Sequence, residues 1–353
     1  MFRRNCIISK STLTPGPMNT PDPFLFCVYH KDFYPAGDAN MAPPRGRANG
    51  ADFDPTVPWR MYHGESVPGF PQHPHRGFET ITATMEGLID HSDSLGNAGR
   101  YGHGDLQWMT AGKGVVHGEM FPLVHADKPN TCRFFQIWIN LPSKNKMVDP
   151  NFKMHWAEQT RKWRSKDALA NVTVWAGTFG GLTGLPPPQN SWASDPANEV
   201  AVWHIVLQPK GSIELPAASG STINRCVYFI EGSSLEVGGQ VVSGHAILKL
   251  DVGQKTTISN PSLDGSVTEL LLLQGKPISE PVAQHGPFVM NTQAEIRQAF
   301  KDYQATEFGG WPWPQDAMTF PRDKGRFALL DGVEEVPPTS TSSNDNASNA
   351  VDL

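Results

Sequence analysis

The chain has 353 residues, enough for two domains with cores of their own. Its 29 Lys and Arg against 35 Asp and Glu give a net charge of −6, too balanced for a nucleic-acid-binding face or a basic membrane patch. The 33 glycines and 31 prolines favour many short strands joined by turns, and no stretch approaches the roughly 18–20 apolar residues of a membrane span.

Residues 1–23 contain Arg3, Arg4 and Lys10 and reach their first acid only at Asp22. They read as a disordered leader; mitochondrial targeting is the lesser reading, because an amphipathic helix is hard to draw through them. Residues 24–145 form a first domain. Its opening stretch, 24–70, is rich in Pro, Gly and aromatics and packs on the strands that follow, among them Thr80–Met85, Gln107–Met109, Val115–His117 and the apolar Arg133–Leu141. A connecting region, 146–198, holds one strand at Val172–Ala176 and a Pro-rich loop. A second strand-rich domain spans 199–331. Within it, Thr292–Gln304 is the clearest helix: Thr292 and Glu295 make a capping box, and Ile296, Ala299, Phe300 and Tyr303 form one apolar stripe that packs on a barrel. Ser, Thr, Asn, Asp and Pro dominate 332–353, which reads as a disordered tail. Cys6, Cys27, Cys132 and Cys226 lie far apart without CxxC spacing, as free thiols of a reducing compartment. Cytoplasm or nucleus is the expected location.

Two short stretches carry the chemistry. The first is His73-Pro-His75-Arg-Gly-Phe-Glu-Thr80; the second is Gly112-Lys-Gly-Val-Val-His117-Gly-Glu119-Met120. Residues two apart on a strand share a face, so each pair aims two side chains into one cavity. Three imidazoles and a carboxylate without thiolate suit a divalent metal such as Fe(II), Mn, Ni, Cu or Zn. Four protein ligands leave open positions, the mark of a site that does chemistry rather than a structural staple. Of the neighbours, His103 reads as a turn residue. Glu79 reads either as a partner holding a ligand imidazole or as a partly exposed strand carboxylate, and Arg76 as its partner or as a cap on the barrel mouth. On one strand either Gln136 with Trp138 or Ile137 with Ile139 lines the cavity. His204, His245 and His285 are structural.

The second domain reads as a copy of the first. Glu86-Gly87 is echoed by Glu231-Gly232 at an offset of 145, and Gly112 by Gly253 at 141. Through those offsets His73 and His75 fall on Ala218 and Gly220, and His117 and Glu119 on Ile258 and Asn260. One metal site is expected, in the first domain alone.

The two motifs, together with Gly104-Asp-Leu-Gln-Trp-Met-Thr-Ala-Gly112, Gln136–Leu141 and Gly275–Thr292, closely resemble the pirins of the cupin superfamily over roughly residues 55–325. The resemblance implies an all-β bicupin: two stacked double-stranded β-helix (jelly-roll) barrels with a short C-terminal helix. It implies Fe(II) as the usual metal, carried by His73, His75, His117 and Glu119. It also implies quercetin 2,3-dioxygenase activity, with O2 and a flavonol-like aromatic as substrates and Glu119 as the proton acceptor. A carboxylate on a dication is a poor base, so Glu119 would have to detach or share the proton with the metal in one step. The alternative that the resemblance implies is a non-enzymatic, metal-dependent regulator of transcription that acts through protein partners in the nucleus.

Overall fold

The strand Thr268–Gly275 carries four consecutive leucines, the pattern of a strand buried on both faces. A computed structural model, which describes residues 5–44, 53–54, 56–220 and 222–339, places that strand at the centre of a seven-stranded antiparallel sheet. Leu270 and Leu272 point into the barrel to which the strand belongs, while Leu271 and Leu273 pack outward against a second barrel. The fold is thus two β-barrels back to back.

The first barrel is built mainly from strands β2 (Phe24–Tyr34), β3 (Gly69–His75), β4 (Phe78–Glu86), β5 (Leu88–Asp93), β6 (Ala98–Gly102), β7 (Leu106–Thr110), β8 (Val115–Met120), β9 (Asn130–Asn140) and β10 (Asn151–His155), numbered after an initial strand β1 (Ile7–Thr12). One sheet runs β10–β7–β4–β9–β2; the other runs β6–β5–β8–β3 and is extended beyond β6 by a C-terminal hairpin. Met109 of β7 and Phe134 of β9 meet Ile89 of β5, Tyr101 of β6 and Val115 of β8 in one interior. The second barrel pairs the seven-stranded sheet with a smaller one of Ser212–Leu215, Thr256–Ser259, Leu235–Val237 and Gln240–Val242 around its own core. Helix α1 (Gln293–Thr306) is capped by Thr292, whose hydroxyl accepts from the Glu295 amide, and it buries Ile296 and Ala299. All four cysteines are free and buried. Among the described residues no helix is long and apolar enough to cross a membrane.

Strand pairing redraws three expectations. Residues 7–12, expected in a disordered leader, form β1 on the edge of the second barrel, where Lys10 pairs with Leu248 and Thr12 with Ala246. The backbone of that barrel's outermost strand supplies the partners that an isolated leader would lack. The connecting region is shared: β10 joins the first barrel, whereas Arg161–Arg164 and Ala170–Ala176 join the second. Phe327–Leu330, placed in the second domain, pairs instead with β6 of the first barrel, and Val333–Glu335 of the expected tail pairs with Phe327–Leu330 in turn. Arg3, Arg4 and residues 340–353 lie outside the described residues.

The repeat is real in topology, but its register differs from the reading. The bulge at Thr84–Glu86 in β4 is matched by one at Phe229–Glu231. His73 pairs with His117, and in the second barrel Ile213 pairs with Ile258. The counterparts of His73 and His75 are therefore Ile213 and Leu215, at an offset of 140, rather than Ala218 and Gly220. A longer turn after Leu215 absorbs the difference, so an offset measured beyond that turn does not hold before it.

Candidate metal centre

β3 and β8 are neighbours in one sheet and carry three imidazoles to the interior of the first barrel. The centroids of the His73, His75 and His117 rings lie 4.5, 4.8 and 5.0 Å apart, and one nitrogen from each lies within 4.8 Å of the others. Burial lowers the proton affinity of all three, most strongly in His75 and His117. Neutral imidazoles with free lone pairs are what a metal needs.

Two of the rings are oriented from behind. His73 Nδ1 lies 2.8 Å from the Pro71 carbonyl oxygen, and His75 Nδ1 lies 3.4 Å from that of Pro287. A carbonyl oxygen can only accept, so these contacts call for the proton on Nδ1 in both rings and leave Nε2 bare for a metal. His117 is fully buried and neither of its nitrogens has a hydrogen-bond partner. A buried polar atom without a partner costs about 1–3 kcal/mol, and a metal at this point would satisfy it. The chemistry of the donor set and the orphaned ring both fit a divalent ion.

Glu119, read from the sequence as the fourth ligand, lies on the same strand as His117 but its carboxylate falls outside the imidazole group. Oε1 accepts from Thr82 Oγ1 at 2.8 Å and from the Tyr101 hydroxyl at 3.2 Å, and Oε2 accepts from Gln136 Nε2 at 3.0 Å. Burial, with the Glu119 charge adding to it, raises the Tyr101 phenol far above its ordinary value, so Tyr101 stays a donor. Thr82 Oγ1 also lies 2.6 Å from Gln136 Oε1. Its single proton can serve only one of these acceptors at a time.

The other candidates separate cleanly. Gln136 and Trp138 face the cavity, with Trp138 5.4 Å from the His75 ring, while Ile137 and Ile139 face the second barrel. Glu79 neither holds a ligand imidazole nor reaches the surface. Alternation puts it on the outer face of β4, fully buried, where it accepts from Trp108 Nε1 and Thr110 Oγ1 and meets Ser191 of the connecting region. Arg76 does not pair with Glu79; it binds Asp302 of α1. His103 is exposed in a turn, and His204 binds Glu269 at the barrel interface. Sequence reading missed His91, which is buried with its ring 5.5 Å from that of His117. Its only trace is the alternation Asp90-His91-Ser92-Asp93. Thr82 and Tyr101 have no signal beyond strand parity.

A barrel pair with one convergent imidazole set defines a bicupin of the metal-binding type. The chain matches the Pirin family model over residues 50–139 and the Pirin C-terminal cupin domain over residues 202–309. It is 34% identical over 266 residues to a pirin-like protein of Solanum lycopersicum, covering 75% of this chain and 85% of that one. It is 34% identical over 273 residues to pirin of Homo sapiens, covering 75% and 86%. Among solved structures, quercetin 2,3-dioxygenase from Acinetobacter baumannii is similar with a TM-score of 0.65 and 27% identity, covering 82% of this chain and 87% of that one. The chain belongs to the pirin family of the cupin superfamily.

Proposed function

We propose that this protein is a metal-dependent dioxygenase acting on flavonol-type aromatics, with His73, His75 and His117 as the metal ligands. The observation that carries the reading is the buried His117 ring, unpartnered at both nitrogens and facing two rings whose Nδ1 atoms are already engaged. The likeness to quercetin 2,3-dioxygenase supports the reaction class. A bound divalent ion, Fe(II) in this reading, supplies Lewis acidity toward an enolic hydroxyl.

The residues of the chain do the rest. Glu119 is the acceptor of the substrate's proton, and becomes a fourth donor only when its carboxylate turns toward the imidazoles. Turning the Thr82 hydroxyl from Glu119 to Gln136 removes one of the two donors on Oε1, leaving Tyr101 there, and keeps Thr82 satisfied. The Tyr101 and Gln136 donors keep the carboxylate close to the imidazoles and return it after proton transfer. Phe78 and Trp138, whose rings lie 4.3 Å apart, form an aromatic wall beside His75 against which a planar substrate can lie.

The test is anaerobic loading with Fe(II), then addition of O2 and quercetin, following flavonol absorbance and carbon monoxide release. Metal-dependent cleavage is expected, absent in His75→Ala and reduced about 10²–10⁴-fold in a Glu119→Gln variant that keeps its metal. Tight metal binding with no cleavage of any flavonol overturns the enzymatic reading. Full turnover by Glu119→Gln removes the proton-acceptor role alone.

A further inference from the structure

The turn that carries His75 is fastened by chain from the opposite end of the sequence. Arg76 is 5% exposed; its Nη1 donates to Asp302 Oδ2 of α1 at 2.6 Å and its Nε donates to the Lys113 carbonyl at 2.6 Å. The guanidinium lies 4.6 Å from the centroid of the Phe308 ring. Among the described residues Asp302 is the one carboxylate bound to it. Backbone bonds continue the contact: the Val289 amide donates to the Arg76 carbonyl at 3.0 Å, and the Arg76 amide donates to the Pro287 carbonyl at 3.4 Å. That same Pro287 oxygen accepts from His75 Nδ1. Lys146, buried, donates to the carbonyls of both Gly77 and Val289. The fit is close enough that a Cβ on Gly77, whose φ is +87°, would stand 1.9 Å from the Val289 oxygen. Midway along β3, just before His73, the Gln72 amide and side chain both donate to Asp316.

Residues 287–316 therefore form a strap across the metal-bearing strand, pinned on both sides of His73 and His75. The bond from His75 Nδ1 to Pro287 is at the edge of hydrogen-bond reach, so a shift of a few tenths of an ångström in the strap breaks it. Removing the Asp302 carboxylate leaves a buried guanidinium without its counter-charge, and it must move toward water. His75 and Gly77 are its covalent neighbours.

We propose that Asp302 is a positioning residue for the metal centre. Acting through Arg76, it holds the strap in place so that the Pro287 carbonyl fixes the His75 ring with Nε2 aimed at the centre. The inference rests on the reading of His73, His75 and His117 as ligands.

The test uses the full chain with Co(II) alone as the probe. Affinity is read by competition with a chromophoric chelator, geometry by the visible Co(II) spectrum, and general stability by thermal unfolding of the metal-free protein. Asp302→Asn, which keeps the side-chain shape and removes the charge, is expected to weaken Co(II) binding about tenfold or more and to change the spectrum. The metal-free protein should lose less stability than the loss of Co(II) affinity represents, and Asp302→Glu should recover wild-type affinity. Wild-type affinity and spectrum in Asp302→Asn overturn the proposal. A loss of metal-free stability matching the loss of affinity overturns it too, because the carboxylate would then serve the fold alone. If the unsubstituted protein binds no Co(II), the ligand reading itself fails and the strap's role falls with it, a result distinct from either of the others.

Discussion

Glu79 shows how one step of strand parity separates two fates for a carboxylate. Its neighbours Phe78 and Thr80 face the barrel interior, but its own side chain lies fully buried on the outer face of the sheet, beside Trp108, Thr110 and Ser191. Burial raises its pKa to about 7, against which the hydrogen bonds from Trp108 and Thr110 work. The native state thus holds a proton that the unfolded chain has lost at any pH between about 4.5 and 7. Stability must fall as pH rises through that window and level off above it. A Glu79→Gln variant lacks the titration. Its melting temperature relative to the parent should climb between about pH 4.5 and pH 7, by an amount corresponding to at most about 3 kcal/mol. A difference independent of pH would show that Glu79 is ionised in the native protein. The motif His73 to Thr80 made Glu79 visible in the sequence but not its direction, because both faces of β4 are buried and polarity no longer marks the outside. The imidazoles were legible for the opposite reason: a polar residue on a buried strand needs a cause, and the alternating pairs His73/His75 and His117/Glu119 suggest a shared one. Gln136 and Trp138 could not be assigned a face until the pairing of β9 with β4 set Gln136 opposite Thr82.

At the scale of elements, local rules read the helix well. Thr292 and Glu295 form their reciprocal pair, the Glu295 amide donating to Thr292 Oγ1 at 3.2 Å and the Thr292 hydroxyl donating to Glu295 Oε2 at 2.9 Å. The glutamate also accepts from the Asn291 amide, one residue earlier than the simple box requires. Thr292→Ala should cost about 1 kcal/mol, measured by denaturant unfolding, and a cost near zero would mean that packing of Ile296 and Ala299 alone holds the helix. β1 was not legible. Its residues Ile7–Thr12 alternate weakly and are mostly exposed, and what makes them a strand is a free edge contributed by residues 246–250. Edge strands take their structure from the partner, so a reading that starts from local pattern passes over them.

The whole molecule is held by its middle. Ile81, Trp108, Phe135 and Ile137 of one barrel pack on Trp175, Val202, Tyr228 and Leu271 of the other. Beside them the salt bridge from Arg133 to Glu269 joins positions that the repeat makes equivalent, each following the matched bulge. Phe135 stacks on Tyr29 at 4.9 Å and meets Trp175 at 6.1 Å, so its removal leaves a cavity that neither barrel can close alone. Phe135→Ala should cost about 3–5 kcal/mol and leave a single cooperative unfolding transition shifted downward. Two transitions, with only one displaced, would show that the barrels melt independently. The sequence announced two domains correctly in number, since the repeat and the apolar runs are long-range signals. The seam between them was hidden, because it is lined by the same residue types that fill a core.

The ends of the chain are exchanged: the first strand is sewn into the far barrel and the last hairpin into the near one. No single cut in the gene therefore yields two self-sufficient cassettes. A fragment ending after the first barrel's own strands would display β6 as a raw edge and lose the Pro287 carbonyl, while its complement would lack the strand that seals its rim. The half that carries the three imidazoles cannot be traded between proteins as a module, because each barrel is completed by chain from the far end of the sequence.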